Sequence, residues 1–341
     1  MKFSIITPNY NGDVYLEQTI EAVLDQRRYV DLEYILVDGG STDGSLEIID
    51  RYRSEFSHCI VESDEGPAEA INKGLEMASG DIVAWLNADD LYYPRTLARV
   101  RDAFDMAPHA SMCFGGCVII NEEAEEIRDS ITRFKELFYP LSSRFTYQCI
   151  NYISQPALFF KTESVTNAGM LREDMVAAWD YEFVLRMWRQ GTGQRIKGEP
   201  LSAFRWYDQS ISGSNFQIQF KEEYEVAKRD AGLLSLQTPI HFLVRCGIVG
   251  IYTAMSKARA RTRKSSGNSS SLSSRWVTVT SATVGRFVPA RCGVTVCVDS
   301  STKQTCSNCS GHATRCIHAT YALNGSMPCH AALTTSSALS T

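Results

Sequence analysis

The sequence predicts an α/β protein, a mostly parallel sheet with helices on both faces, and three observations carry that expectation. Short apolar runs alternate with stretches of helical period through residues 1–110. One of them, residues 82–86, is apolar without alternation, as in a strand buried on both faces. The runs also end in turn and carboxylate chemistry: Asn9-Tyr10-Asn11-Gly12, Asp38-Gly39-Gly40 and Asn87-Ala88-Asp89-Asp90. In a parallel sheet these three loops open on one edge, which is where open α/β folds bind ligands.

Residues 3–7 read as the first strand and 8–12 as a turn, after which Leu16, Ile20, Val23 and Leu24 mark one face of a helix. Residues 33–37 repeat the unit. They end at Asp38 and pass through a glycine-rich turn into a helix carrying Leu46, Ile49 and Tyr52. A carboxylate there can accept hydrogen bonds from a base or ribose, and the turn amides favour negative charge. A tight turn capped by Asp43 accounts for the same residues equally well. Residues 58–62 read as a short third strand, followed by a helix with Ile71, Leu75 and Ala78 on one face that Gly80 ends. The fourth strand then delivers Asp89 and Asp90. Two adjacent carboxylates suit a hard divalent cation such as Mg2+ or Mn2+, although they also suit a helix cap. Convergence of three loops on one rim favours the cation, since independent caps have no reason to gather.

The chain has 341 residues, 44% of them hydrophobic, enough for one large domain or two smaller ones. A formal net charge of -5 argues against nucleic acid as a partner. Met1-Lys2 leads straight into a strand, so no leader is expected, and no apolar run reaches the roughly 18 residues of a membrane span. A cytoplasmic location is expected, since five cysteines scattered through the first 264 residues suit reduced thiols.

Four segments in order, Ser4-Ile-Ile-Thr-Pro-Asn-Tyr-Asn11, Val37-Asp-Gly-Gly-Ser-Thr-Asp-Gly-Ser45, Ala70-Ile-Asn-Lys-Gly74 and Gly80-Asp-Ile-Val-Ala-Trp-Leu-Asn-Ala-Asp-Asp90, resemble the family 2 glycosyltransferases. The resemblance covers about residues 1–230 and implies the Rossmann-like GT-A fold and a nucleotide-diphospho-sugar donor. It implies donor contacts from Thr7, Pro8, Tyr10, Asp38, Asn72, Lys73, Asn87 and Ala88, with Asp38 on the nucleoside. Asn87–Asp90 matches the family's Asp-x-Asp motif, which implies Mg2+ or Mn2+ on Asp89 and Asp90. Two positions depart from the pattern: Asn87 replaces the first carboxylate, and Ile71 stands where a basic residue is common.

The donor is expected in residues 1–110, and the acceptor and base in 111–230. Residues 111–120 read as a strand, 121–128 as a charged, solvated turn, 134–152 as an aromatic stretch that is mostly core, and 153–160 as another strand. Trp179-Asp180-Tyr181-Glu182 opens a helix, and Asp180 matches the acidic residue that inverting members use as catalytic base, with Glu182 the weaker choice. Such a group is needed because a sugar hydroxyl is a poor nucleophile at neutral pH. Tyr207 stands where relatives often carry histidine, and Arg205 reads as a phosphate contact or a surface cation.

Residues 231–264 read as amphipathic helices ending in Lys257, Arg259, Arg261, Arg263 and Lys264, suited to an anionic membrane surface or to a solvated tail. Residues 265–341 are rich in Ser, Thr and Cys with one acid, Asp299, and read as a poorly ordered appendage. Cys306, Cys309, His312 and Cys316 are zinc-ligand types at a spacing tighter than a zinc knuckle. A dinucleotide enzyme lacks support because no Gly-x-Gly-x-x-Gly follows the first strand. The expected function is inverting transfer of a sugar to a saccharide or lipid-linked acceptor in surface polysaccharide synthesis. Asn87 and Ile71 sustain an alternative, a nucleotide-sugar-binding partner without turnover.

Overall fold

The computed structural model describes residues 1–207 and 216–250; the basic stretch 257–264 and the Cys306, Cys309, His312, Cys316 cluster lie outside them. The first four strands form where the apolar runs place them. β1 (Lys2–Asn9) lies parallel to β2 (Asp31–Asp38) and to β4 (Ile82–Trp85), and β2 lies parallel to β3 (His58–Val61). Successive side chains go to opposite faces and both faces are buried. Ile6, Ile35, Val37, Val83 and Trp85 enter one core, whereas Phe3, Ile5, Tyr34, Leu36, Ile82 and Ala84 enter the other. α1 (Leu16–Leu24), α2 (Ser45–Arg51) and α4 (Thr96–Met106) cover the second face, and α3 (Pro67–Met77) covers the first.

The first strand runs two residues further than its apolar pattern suggests, and Thr7 and Pro8 lie inside it, opposite Leu36 and Val37. A proline is tolerated there because β4 pairs only as far as Ile6, so no neighbour on that side needs the missing amide hydrogen.

The remaining strands extend the sheet and build a second one. The run expected as one strand over 111–120 is broken at Gly115-Gly116 into β6 (Ala110–Phe114) and β7 (Cys117–Ile120), which belong to different sheets. β9 (Leu158–Lys161) inserts antiparallel between β4 and β6, and β10 (Thr192–Arg195) closes the edge, giving the order β10-β6-β9-β4-β1-β2-β3. The strand expected from 153 starts only at Leu158, because Gln155–Ala157 is wound into a short helical turn around Pro156. The small sheet takes the order β5-β11-β7-β8, from β5 (Leu91–Tyr92), β11 (Ser202–Arg205), β7 and β8 (Glu126–Ile127).

α5 (Asp129–Glu136), α6 (Arg144–Cys149), α7 (Thr162–Ala168), α8 (Trp179–Gln190) and α9 (Phe216–Ala231) complete the domain. Tyr139, Tyr147 and Tyr152 of the aromatic stretch are core, while Phe134 and Phe145 are exposed. Asp230 fastens α9: its carboxylate accepts from Arg144 Nε at 3.1 Å and Gln148 Nε2 at 2.7 Å, and pairs with Arg189. Helical backbone resumes over 237–250. No helix among the described residues is long and apolar enough to cross a membrane.

The sheet edge that carries the starts of β1 and β4 is tied by Glu33, which is 4% exposed. Its carboxylate accepts from Lys2 Nζ at 2.7 Å and Ser79 N at 2.7 Å, and it also bonds Ser4 Oγ and Ser79 Oγ. Burial raises its proton affinity, but these donors outweigh burial and bring its pKa down to about 2. A depressed folded-state value means stabilisation that is complete above the unfolded pKa, near 4.5, and lost as pH falls toward 2. Glu33→Gln should therefore lower the urea midpoint at pH 7 by the equivalent of about 3 kcal/mol. The gap from wild type should close by pH 2; a pH-independent gap would mean that packing, not charge, is what the substitution removes.

Candidate active site

The loops after β1 and β2 are laced together around Asp38, which is fully buried. Asp38 Oδ1 accepts from the amides of Gly40 at 3.1 Å and Ser41 at 2.8 Å, and Oδ2 accepts from Asn9 Nδ2 at 2.6 Å and Ser41 Oγ at 2.7 Å. The carboxylate expected on the nucleoside thus shapes the loop that would receive it. Asn11 and Asp13 lock to the same turn through Thr42 N at 2.8 Å and Gly44 N at 3.2 Å. Tyr10 is 66% exposed, which leaves its ring open to a planar base. Thr7 is not at the rim: it is buried, with Oγ1 3.0 Å from Tyr34 OH, and Pro8 is likewise enclosed in β1.

A residue that pattern reading passed over stands beside this loop. A Cβ built on Gly39 would lie 2.6 Å from Asp64 Oδ2, so glycine lets the loop lie against the Asp64 carboxylate where a larger residue would push that side chain aside. Asp64 is partly exposed, and burial holds its pKa above the ordinary carboxylate range. Its one sequence signal is the turn before α3. Lys73 is bound to that turn, pairing with Glu62 at 3.0 Å and Glu69 at 3.0 Å and donating to Ser63 O at 3.3 Å. Asn72 is turned inward and 6% exposed. Its amide holds Leu171 O at 3.0 Å, Leu171 N at 2.9 Å and Glu173 at 2.7 Å, pinning the segment that leads to α8 rather than facing a donor.

At the end of β4 the two carboxylates separate in role. Asp90 is fully buried, with Oδ1 accepting from Arg205 N at 2.9 Å, so the structure withdraws it from the surface where an ion would bind. Burial first, and Asp89 second, push its pKa well above the ordinary range. Asp89 stays partly exposed beside Asn87 and Ala88, and its Oδ2 accepts from Tyr207 OH at 3.1 Å. Asn87 Nδ2 lies 3.4 Å from Asp90 Oδ2 and 3.5 Å from Gln155 Oε1. Arg205 is neither a phosphate contact nor a surface cation. It is fully buried, donates to Asp89 O at 2.9 Å, Asn121 O at 2.9 Å, Glu122 O at 3.0 Å and Gln18 Oε1 at 3.0 Å, and its guanidinium lies 4.2 Å from the Tyr15 ring centroid.

Among the described residues no group of three His, Cys, Asp or Glu side chains is placed to hold a metal. The residues present fit a cation held by one carboxylate, Asp89, with other oxygens brought by a bound ligand. Burial raises the Asp89 proton affinity in spite of the Tyr207 hydroxyl and Arg205, and a hard cation would offset the same desolvation of its carboxylate.

The residue before Asp180 packs on the strand that leads to Asp89. Trp179 packs on Trp85, the last residue of β4, with centroids 6.1 Å apart, and Gln155 Nε2 donates to Trp85 O at 2.8 Å while facing Asn87. Asp180 lies in the first turn of α8 in a recess, partly open to solvent and otherwise enclosed by protein. Burial raises its pKa to about 6, against the opposing effects of the Tyr181 amide, 2.7 Å from Oδ1, and of Lys135. Glu182, the weaker choice, is paired with Arg186, whose Nε lies 3.0 Å from Oε2 and 3.1 Å from Oε1.

The chain is similar to known proteins over most of the described residues. The profile described as Glycosyl transferase family 2 matches residues 4–167. The chain is 34% identical to the putative teichuronic acid biosynthesis glycosyltransferase TuaG of Bacillus subtilis, over 64% of this chain and 84% of that protein. It is 30% identical to an uncharacterized glycosyltransferase of Haemophilus influenzae, over 64% of this chain and 88% of that protein. A 37% identical match to an uncharacterized Nostoc glycosyltransferase spans 33% of that protein. The fold is similar to that of S. aureus TarS 1-349 in complex with UDP-GlcNAc (TM-score 0.53, 21% identity, 68% of this chain and 66% of that one). It is also similar to the mannosyltransferase PcManGT of Pyrobaculum calidifontis in complex with GDP-Man and Mn2+ (TM-score 0.50, 18% identity, 74% and 80%). With relatives matched along most of their length and the strand-end motifs assembled on one edge of a GT-A sheet, the chain belongs to glycosyltransferase family 2.

Proposed function

We propose that this glycosyltransferase moves a sugar from a nucleotide-diphospho-sugar to the hydroxyl of a saccharide or lipid-linked saccharide, with inversion at the anomeric carbon, in surface polysaccharide synthesis. The observation that supports the reading is the packing of Trp179, the residue before Asp180, on Trp85 of the strand that leads to Asp89. The domain is assigned to residues 1–230. Tyr10 and Asp64 bracket the loop that Asp38 shapes and face the nucleoside, and Lys73 steadies the Asp64 turn. Asp89 would hold Mg2+ or Mn2+, which when bound supplies positive charge to the leaving diphosphate. Tyr207 orients the Asp89 carboxylate through its hydroxyl.

Asp180 accepts the acceptor hydroxyl's proton as that oxygen attacks from the face opposite the leaving group. Its raised pKa makes it a stronger base than an ordinary aspartate, and the working form is the ionised one. Activity should therefore rise with pH through about 6 and then level. The names of the relatives support the donor class and a role in building surface polymers. Exposed Phe242 and Leu243, with Leu233, Leu234 and Leu236 just before them, support peripheral contact with the cytoplasmic face of a membrane through 240–264. A second reading, a donor-binding scaffold, draws on the single available carboxylate beside Asn87.

Asp180→Asn should cut transfer by about three orders of magnitude, the usual worth of a general base, with donor-induced thermal stabilisation kept. Wild-type turnover by that variant would remove Asp180 from the role, and absence of nucleoside diphosphate release by the wild type with every acceptor tried would favour the scaffold. In a screen of nucleotide-sugars by thermal shift, Asp89→Ala should lose the part of the stabilisation that depends on added Mn2+. An unchanged Mn2+ dependence would place the ion elsewhere.

A further inference from the structure

The stretch 169–178, which joins α7 to α8, is neither helix nor strand, yet side chains from three helices hold its backbone. Arg186 of α8 donates to the carbonyls of Ala168 at 2.6 Å, Gly169 at 2.9 Å and Met170 at 2.8 Å. Asn72 of α3 takes both backbone groups of Leu171, its Oδ1 accepting from the amide at 2.9 Å and its Nδ2 donating to the carbonyl at 3.0 Å. At the far end Glu222 of α9 accepts from the amide of Val176 at 2.9 Å through Oε1, and from those of Ala177 at 2.9 Å and Ala178 at 3.0 Å through Oε2. The N-cap residue of α8 is Ala178, whose methyl group accepts no hydrogen bond.

We propose that Glu222 is a positioning residue for transfer, a cap supplied from α9 that fixes where α8 starts and with it the places of Trp179 and Asp180. The proposal rests on the reading of Asp180 as the base. Amides at the start of a helix have no partner within it, and the capping oxygen ordinarily comes from the residue just before the first turn. Val176-Ala177-Ala178 has no side chain to supply it. A carboxylate from elsewhere meets the same need, and the positive end of the helix dipole favours its charge. It also does what a local cap does not, tying the helix start to a second helix 44 residues away in the chain. Ala178 is buried and adjoins Trp179, which packs on Trp85, so a shift at the cap passes directly to that contact and to Asp180. α9 is itself fastened, through Asp230, to Arg144 and Gln148 of α6. Both Glu222 oxygens are engaged by backbone amides, which makes it a group that sets position and not one that carries the proton.

Glu222→Gln keeps the shape but turns one accepting oxygen into a nitrogen that faces N–H donors. In the full chain without substrate, hydrogen exchange at the amides of 176–178 should then quicken roughly tenfold or more, as expected on losing bonds to a charged acceptor. Glu225→Gln, at an exposed position of the same helix, should leave those amides as they are. In the transfer assay, run with the nucleotide-sugar that gives the largest thermal shift, kcat per folded molecule should fall roughly 10- to 100-fold while the donor KM stays within roughly twofold. A merely structural role would lower the melting temperature and leave that kcat unchanged. Glu222→Asp, which keeps the carboxylate on a shorter stem, should show smaller effects of the same kind and serves where the glutamine disturbs folding. Exchange unaltered in both variants overturns the cap, and faster exchange with unaltered kcat overturns the positioning role. Wild-type turnover by Asp180→Asn would withdraw the base and the role assigned here, while the exchange result would still decide whether Glu222 caps α8.

Discussion

Trp85 lies at the junction of everything that defines the site. Its backbone ends the central strand that leads to Asn87 and Asp89, while its buried indole packs on Phe160, Phe183 and Trp179. One residue thus fixes where the fourth strand stops and where the eighth helix begins. Large aromatic side chains are suited to this, because truncating one in a core costs roughly 3–5 kcal/mol and their shape resists sliding. The recess depends on that contact, since no hydrogen bond directly joins Asp180 to the Asn87–Asp90 segment among the described residues. Gln155 and Asn72 add polar ties, one to Trp85 O and one to Leu171, and both cross between the first and second halves of the chain.

Around this apolar junction the charges are arranged unequally. At one end of the sheet Glu33 has an ammonium, two hydroxyls and an amide, and is held ionised. At the other end Asp90 and Asp89 have fewer donors, and burial raises both proton affinities. Desolvating a carboxyl without full compensation is costly, which makes the first end a fastening and the second a place with a use for added positive charge. Arg205 limits the cost. By filling its donors with carbonyls and the Gln18 amide, it buttresses Asp89 from behind without neutralising the carboxylate outright.

The parallel half of the sheet was legible from residues 1–110 because period and apolarity agree there. So was the meeting of strand-end loops on one edge, which follows from parallel topology. The second half was legible in part. The antiparallel insertion of β9 depends on pairing across more than seventy residues, and the split at Gly115-Gly116 is a choice between sheets that local pattern does not encode. Side-chain roles were hardest. Asn72, Asp90 and Arg205 are polar residues in motif segments, and sequence carries no sign that each would turn inward to hold backbone. Tyr207 gives the opposite case: it looked like a lost histidine and is bonded to Asp89.

α9 shows why the site extends past what motifs mark. The matched profile ends at residue 167, before Asp180 and well before Glu222 and Glu223. A helix with alternating charges ordinarily signals a solvated face, yet here adjacent glutamates do different work because they point differently. Glu222 reaches the amides of 176–178, and Glu223 turns under the helix to Asn151. Asp230, two turns on, spends its carboxylate on Arg144, Gln148 and Arg189 and so holds the helix where both can act. The segment that leads into α8 is accordingly held by an element outside the strand-end motifs, so α9 can move or hold that segment while those motifs stay as they are.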